Sequence, residues 1–144
     1  MPLQKWQPGL PPRAPFWRFT LGHTVLIVDD ADFMRVMLRD IVEDMGYSVC
    51  GEAGNGSEAI ELYRQLQPDL VLLDITMPVM DGPEALAAIV ADYPQANVVM
   101  ITALGQKAQV LASIKAGARD FIIKPFDQER VQETLSRLVA ATQA

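Results

Sequence analysis

The sequence has one cysteine and one histidine in 144 residues. A lone Cys50 cannot close an internal disulfide, so nothing in the chain calls for an oxidising compartment. His23 lies upstream of the first strand pattern and Cys50 inside a strand pattern, which leaves no basis for a zinc site. No apolar run approaches the roughly 20 residues of a membrane-spanning helix. Basic residues are outnumbered, 12 against 18 acids for a net charge of −6. That balance argues against a nucleic-acid module held by a broad basic surface. Half of the residues are hydrophobic, too many for a disordered chain, and the length suits one globular core. A cytoplasmic protein that binds neither nucleic acid nor membrane is the expectation.

What is present is unevenly spread. Five of the ten prolines (Pro2, Pro8, Pro11, Pro12, Pro15) and both tryptophans (Trp6, Trp17) fall in the first 17 residues. Residues 1–21 carry Lys5, Arg13 and Arg18 and no acid, whereas the remaining 123 hold nine bases and all 18 acids. Proline at this density prevents a regular helix, and no continuous apolar stretch makes the segment a secretory signal. Residues 1–21 are therefore read as a disordered extension; the sharper alternative is a docking arm using Trp6, Phe16, Trp17 and Phe19.

From Gly22 the pattern becomes regular. Apolar strands are expected at 24–28, 47–53, 69–73, 98–101 and 121–123. Helices are expected between and after them at 32–45, 57–66, 83–92, 106–115 and 128–140. Asp32 and Ser57 are the N-cap candidates of the first two helices. Met34, Met37, Met45 and Met100 read as core filler. Short all-apolar strands alternating with helices indicate an α/β fold, a doubly wound parallel sheet covered on both faces. In such folds ligands bind beyond the carboxyl ends of the strands.

Those ends supply Asp29, Asp30, Asp74, Thr102 and Lys124. Each has an ordinary explanation alone, as a cap, a strand terminus or a surface charge; together they form one constellation on one sheet edge. Carboxylates brought together repel, by about 4 kcal/mol for a pair about 4 Å apart at an effective dielectric of about 20. Protonation or a bound cation relieves this, and magnesium suits two or three carboxylates with retained waters. A cation beside a carboxylate, a hydroxyl and an ammonium group is also what phosphoryl transfer needs. Asp74, alone at its strand end, is the candidate nucleophile, with Asp29 and Asp30 as metal holders.

Asp29-Asp30, the run from Asp74 through Thr76, Met77 and Pro78 to Asp81-Gly82, Thr102-Ala103 and Lys124-Pro125-Phe126 together resemble the receiver domain of two-component response regulators. The resemblance covers residues 22–144, with 44 residues from Asp30 to Asp74 and 50 from Asp74 to Lys124. Within that family the stretches Asp74–Pro78 and Ala118–Ile122 most resemble stand-alone chemotaxis regulators. The resemblance implies a flavodoxin-like sheet of five strands in the order 2-1-3-4-5 with five helices. It implies that Asp74 accepts phosphoryl from a histidine kinase. Asp30, Asp74 and the backbone carbonyl of Thr76 would ligate magnesium, with Asp29 acting through water. Lys124 would contact the phosphoryl group, Thr102 would swing toward it, and the Lys124–Pro125 peptide would be cis. The matching position of the switch aromatic, commonly tyrosine, is Phe121, which has no hydroxyl to offer a partner.

Phosphorylation adds up to about two negative charges. It acts at a distance only through a face with two arrangements. That face is expected around Lys107, Val110, Ile114, Lys115 and Phe121. A monomeric signalling switch rather than a classical enzyme is expected, catalysing only its own phosphoryl acceptance and autodephosphorylation. With no further residues after Ala144 in this sequence, output is expected through noncovalent docking on a protein such as a flagellar switch component, with a phosphatase as a further partner. A phosphorelay intermediate that passes phosphoryl to a second histidine is the nearest alternative. An Asp-nucleophile phosphatase is more distant, because Thr76 stands where its second aspartate belongs. A flavin binder would need a phosphate loop where Asp29-Asp30-Ala31-Asp32 stands.

Overall fold

The computed structural model describes residues 23–143; the extension expected at 1–21 lies outside them. Strands and helices alternate as β1 (Thr24–Val28), α1 (Asp32–Asp44), β2 (Ser48–Ala53), α2 (Gly56–Leu66), β3 (Leu70–Asp74), α3 (Gly82–Asp92), β4 (Val98–Ala103), α4 (Lys107–Ala116), β5 (Asp120–Lys124) and α5 (Gln128–Gln143). The strands form one parallel sheet in the order β2-β1-β3-β4-β5, the order and helix number that the resemblance implies.

Side-chain alternation decides the layers. Val25, Ile27, Leu70, Leu72, Val99 and Ile101 pack with Leu38, Ile41 and Val42 of α1 and Val131 and Leu135 of α5. Leu26, Val28, Val71, Leu73, Val98 and Met100 point to the other face, against Tyr63 of α2 and Leu86 and Ile89 of α3. Because both faces are covered, the alternation is hidden in the sequence and the strands read as unbroken apolar runs. At the amino ends of the strands, Thr24 N–H and Oγ1 donate to Asp69 Oδ2 (2.8 and 3.1 Å) and tie β1 to β3.

Three local expectations are corrected. The N-cap of α1 is Ala31, which makes no side-chain cap; Asp32 is the first helical residue and pairs instead with Arg35. The N-cap of α2 is Asn55, whose side chain accepts from Glu58 N–H, so Ser57 lies inside the helix. In α2 the reason is reach, since the Asn55 side-chain oxygen meets the amide three residues on. Met37 is 40% exposed and fills no core, whereas Met100 is fully buried and Met34 and Met45 pack against the α1/α5 face. The β1–β2 register shifts between Val25 and Leu26, which pair with Val49 and Gly51, leaving Cys50 of β2 at a bulge with its Sγ 3.5 Å from the Val25 carbonyl oxygen.

Candidate functional site

Apolar strands of similar length, in register, end together, and the polar residues that follow them meet at one edge. Asp74 is the last residue of the central strand β3 and Lys124 the last of β5. Asp29 and Asp30 directly follow β1, and Thr102 lies in β4. One carboxylate oxygen from each of Asp29, Asp30 and Asp74 falls within 4.8 Å of the others. Lys124 Nζ reaches into the cluster, 3.3 Å from Asp74 Oδ1 and 3.5 Å from Asp29 Oδ2.

The surrounding backbone fixes these positions. Asp29 N–H donates to the Ala53 carbonyl (3.0 Å), and Arg35 Nη1 donates to the Asp29 carbonyl (2.5 Å). Arg35 also pairs with Glu52 at 3.2 Å, so it braces the β1–α1 loop from β2. After Asp74, Gly82 N–H donates to the Ile75 carbonyl (2.8 Å) and folds the loop back on the strand end. Asp81 then caps α3 by accepting Glu84 N–H at 3.0 Å. The Lys124–Pro125 peptide is cis, as the resemblance implies.

The electrostatics are strained. Asp29 and Asp74 are almost fully buried, at 1% and 7% exposure, while Asp30 is open to solvent. Asp29 Oδ1 accepts Ala31 N–H (2.9 Å), but Oδ2 has no hydrogen-bond partner, only the nearby ammonium of Lys124. Burial, reinforced by the charges of Asp29 and Asp30 and opposed by Lys124, pushes the Asp74 carboxyl up to about 6. With three carboxylates and one ammonium the cluster carries a charge of −2 when ionised. An oxygen-only donor set, an unpartnered buried carboxylate oxygen and that charge fit a hard divalent cation.

Thr102 is buried, and its hydroxyl faces Gln106 Oε1 at 3.0 Å. Thr76 is exposed, with its hydroxyl 2.5 Å from Gln106 Nε2. Gln106 and Arg35 are the residues that sequence reading missed. Neither carries a local signal, because each acts on a loop brought close only by the sheet. Phe121 is half-buried against the core on the α2/α3 side of the sheet. Lys107, Ile114 and Lys115 are exposed, whereas Val110 turns inward against that core. Leu111 and Ile123, not singled out from the sequence, add exposed apolar area there. A cavity of about 450 Å³ beside the cluster is lined by Leu104, Phe121, Lys124 and Phe126. A larger one of about 670 Å³ opens at the opposite end of the sheet, beside His23, Tyr63 and Asp69, away from all of this chemistry.

The response regulator receiver domain family matches residues 25–136. The chain belongs to that family. The receiver is 52% identical over 118 residues to the chemotaxis protein CheY of Thermotoga maritima, covering 82% of this chain and 98% of the relative. It is 49% identical over 117 residues to CheY of Bacillus subtilis, covering 81% and 98%. Among solved structures, the CheX–CheY–BeF3–Mg complex from Borrelia burgdorferi matches with a TM-score of 0.80 at 35% identity, over 85% of this chain and 93% of that one. The receiver is thus a CheY-like response regulator, consistent with chemotaxis signalling and with a signalling switch rather than a classical enzyme. None of its described helices is long and apolar enough to cross a membrane.

Proposed function

We propose that this receiver accepts a phosphoryl group on Asp74 from a histidine kinase, in a magnesium-dependent reaction, and so switches a docking face. The observation that carries the reading is the position of Asp74, buried at the end of β3 between two further carboxylates and 3.3 Å from Lys124 Nζ. A carboxyl titrating near 6 is mostly ionised at neutral pH yet poorly stabilised, which suits a nucleophile. An Asp74 oxygen forms the new bond to phosphorus, the phosphorus–nitrogen bond of the donor phosphohistidine breaks, and the imidazole leaves with its electron pair. Asp30, Asp74 and the Thr76 carbonyl would hold magnesium, with Asp29 supporting it through water, as the family resemblance implies. When bound, the ion offsets charge on the phosphoryl oxygens. Lys124 shifts from its carboxylate partners toward the phosphoryl group, and Thr102 donates its hydroxyl to a phosphoryl oxygen.

The same domain, spanning 22–144, then acts by noncovalent docking through the α4–β5 surface. Exposed Lys107, Ile114 and Lys115 with half-buried Phe121 offer apolar and cationic groups to an output protein such as a flagellar switch component. The near-complete coverage of chemotaxis CheY proteins supports this setting. Amide shifts on adding magnesium and beryllofluoride test the switch. They are expected to reach Lys107, Ile114 and Phe121; shifts confined to residues around Asp74 would contradict a coupled output face.

A further inference from the structure

One side chain joins three parts of the site. Gln106 Oε1 accepts from Ala103 N–H at 2.7 Å and from the Thr102 hydroxyl at 3.0 Å, while Nε2 donates to Thr76 Oγ1 at 2.5 Å. The Ala103 amide can only donate, so it fixes which end of the Gln106 amide is oxygen. Thr102 Oγ1 has a single proton, and its two acceptors here are Gln106 Oε1 and the Ala103 carbonyl at 3.1 Å. Donation to a phosphoryl oxygen on Asp74 therefore requires Thr102 to abandon these bonds. Gln106 also occupies the N-cap position of α4 without capping the helix with its side chain. The usual service of that position is forgone, and the amide instead reaches back over β4 and across to the β3–α3 loop.

We propose that Gln106 is a positioning residue that holds Thr102 in its unswitched arrangement, so that phosphoryl binding at Asp74 competes with Gln106 for the Thr102 hydroxyl. The inference rests on Asp74 being the phosphoryl acceptor and deepens that reading. Because Gln106 directly precedes α4, the same exchange links the phosphoryl site to the start of that helix. Its grip is a neutral hydrogen bond, whose net worth of about 1 kcal/mol corresponds to roughly five-fold in an equilibrium constant.

The test uses the full chain with beryllofluoride and magnesium as the phosphoryl stand-in, comparing wild type, Gln106→Ala, the near-isosteric Gln106→Met, Thr102→Val and the double variant Thr102→Val/Gln106→Met. Loss of Gln106 is expected to tighten beryllofluoride binding by roughly five-fold where Thr102 is present and not where Val replaces it. Equal tightening in both backgrounds, or weaker binding by both Gln106 variants, would overturn the proposal. Failure of wild type to bind beryllofluoride, or undiminished binding by Asp74→Asn, would overturn the phosphoacceptor reading itself and the inference with it.

Discussion

The Lys124 ammonium lies 3.3 Å from Oδ1 of Asp74, bringing the end of β5 to the end of the central strand. The pair is incomplete as a structural ion pair. Lys124 must also serve Asp29 at 3.5 Å, and one cation does not offset three carboxylates. The site is therefore destabilised in the absence of a further cation.

That imbalance sets the pH dependence of stability. Burial and the neighbouring carboxylates raise Asp74 from 3.8 to about 6. A raised folded-state value means that the fold favours protonated Asp74, so its stabilising contribution is full below about 3.8 and is lost as pH rises through about 6. In metal-free buffer above pH 7, Asp74→Asn is expected to be more stable than wild type by on the order of 2 kcal/mol, the gap closing toward pH 4. Urea unfolding across that range checks it; a gap independent of pH would contradict it.

Magnesium is expected to reverse the ranking. A ligand that binds only the folded state adds about 2.7 kcal/mol at about 100 times its dissociation constant. Wild type should gain thermal stability with added magnesium, and Asp30→Asn and Asp74→Asn should gain little. Equal gains in all three, by calorimetry, would place the cation elsewhere.

Gly82 is expected to resist any side chain. A Cβ there would lie 2.3 Å from the Asp74 carbonyl oxygen and 2.9 Å from Ile75 Cα, backbone atoms that cannot step aside. Gly82→Ala should lower stability by about 1–3 kcal/mol, as overpacking against fixed atoms does, and displace the β3–α3 loop. The midpoint of urea unfolding reports the first effect and amide shifts around Asp74 the second.

Val79 stores strain in the same loop. Its φ is +69° at 83% exposure, and Met80 N–H donates to the Pro78 carbonyl across it at 2.7 Å. A β-branched residue in that region costs about 1–3 kcal/mol. Glycine adopts it freely at an entropic cost of about 0.5–1 kcal/mol, and no packing is lost. Val79→Gly is therefore expected to stabilise the protein by about 1 kcal/mol in urea unfolding; destabilisation would show that the turn is not strained.

The parallel, doubly covered sheet and the acidic edge are legible because they rest on residues at fixed places along the chain, whereas the strand order follows only from the family resemblance. Asp29-Asp30, Asp74, Thr102 and Lys124 each follow or end an apolar run, and parallel strands in register bring such ends together. The caps were not legible, since Ala31 against Asp32 and Asn55 against Ser57 differ by one or two residues and are decided by local backbone geometry. Nor was Gln106, whose partner Thr76 is 30 residues away on another loop. Met37 was misplaced because helical periodicity fixes a face only within about one residue on either side.

The most direct measurement is the intact mass of the full chain after incubation with acetyl phosphate and magnesium. One phosphoryl adduct on wild type, absent when magnesium is chelated and absent in Asp74→Asn, is the expected result. No adduct on wild type, or an adduct that persists in Asp74→Asn, would contradict the assignment of Asp74 as the phosphoacceptor.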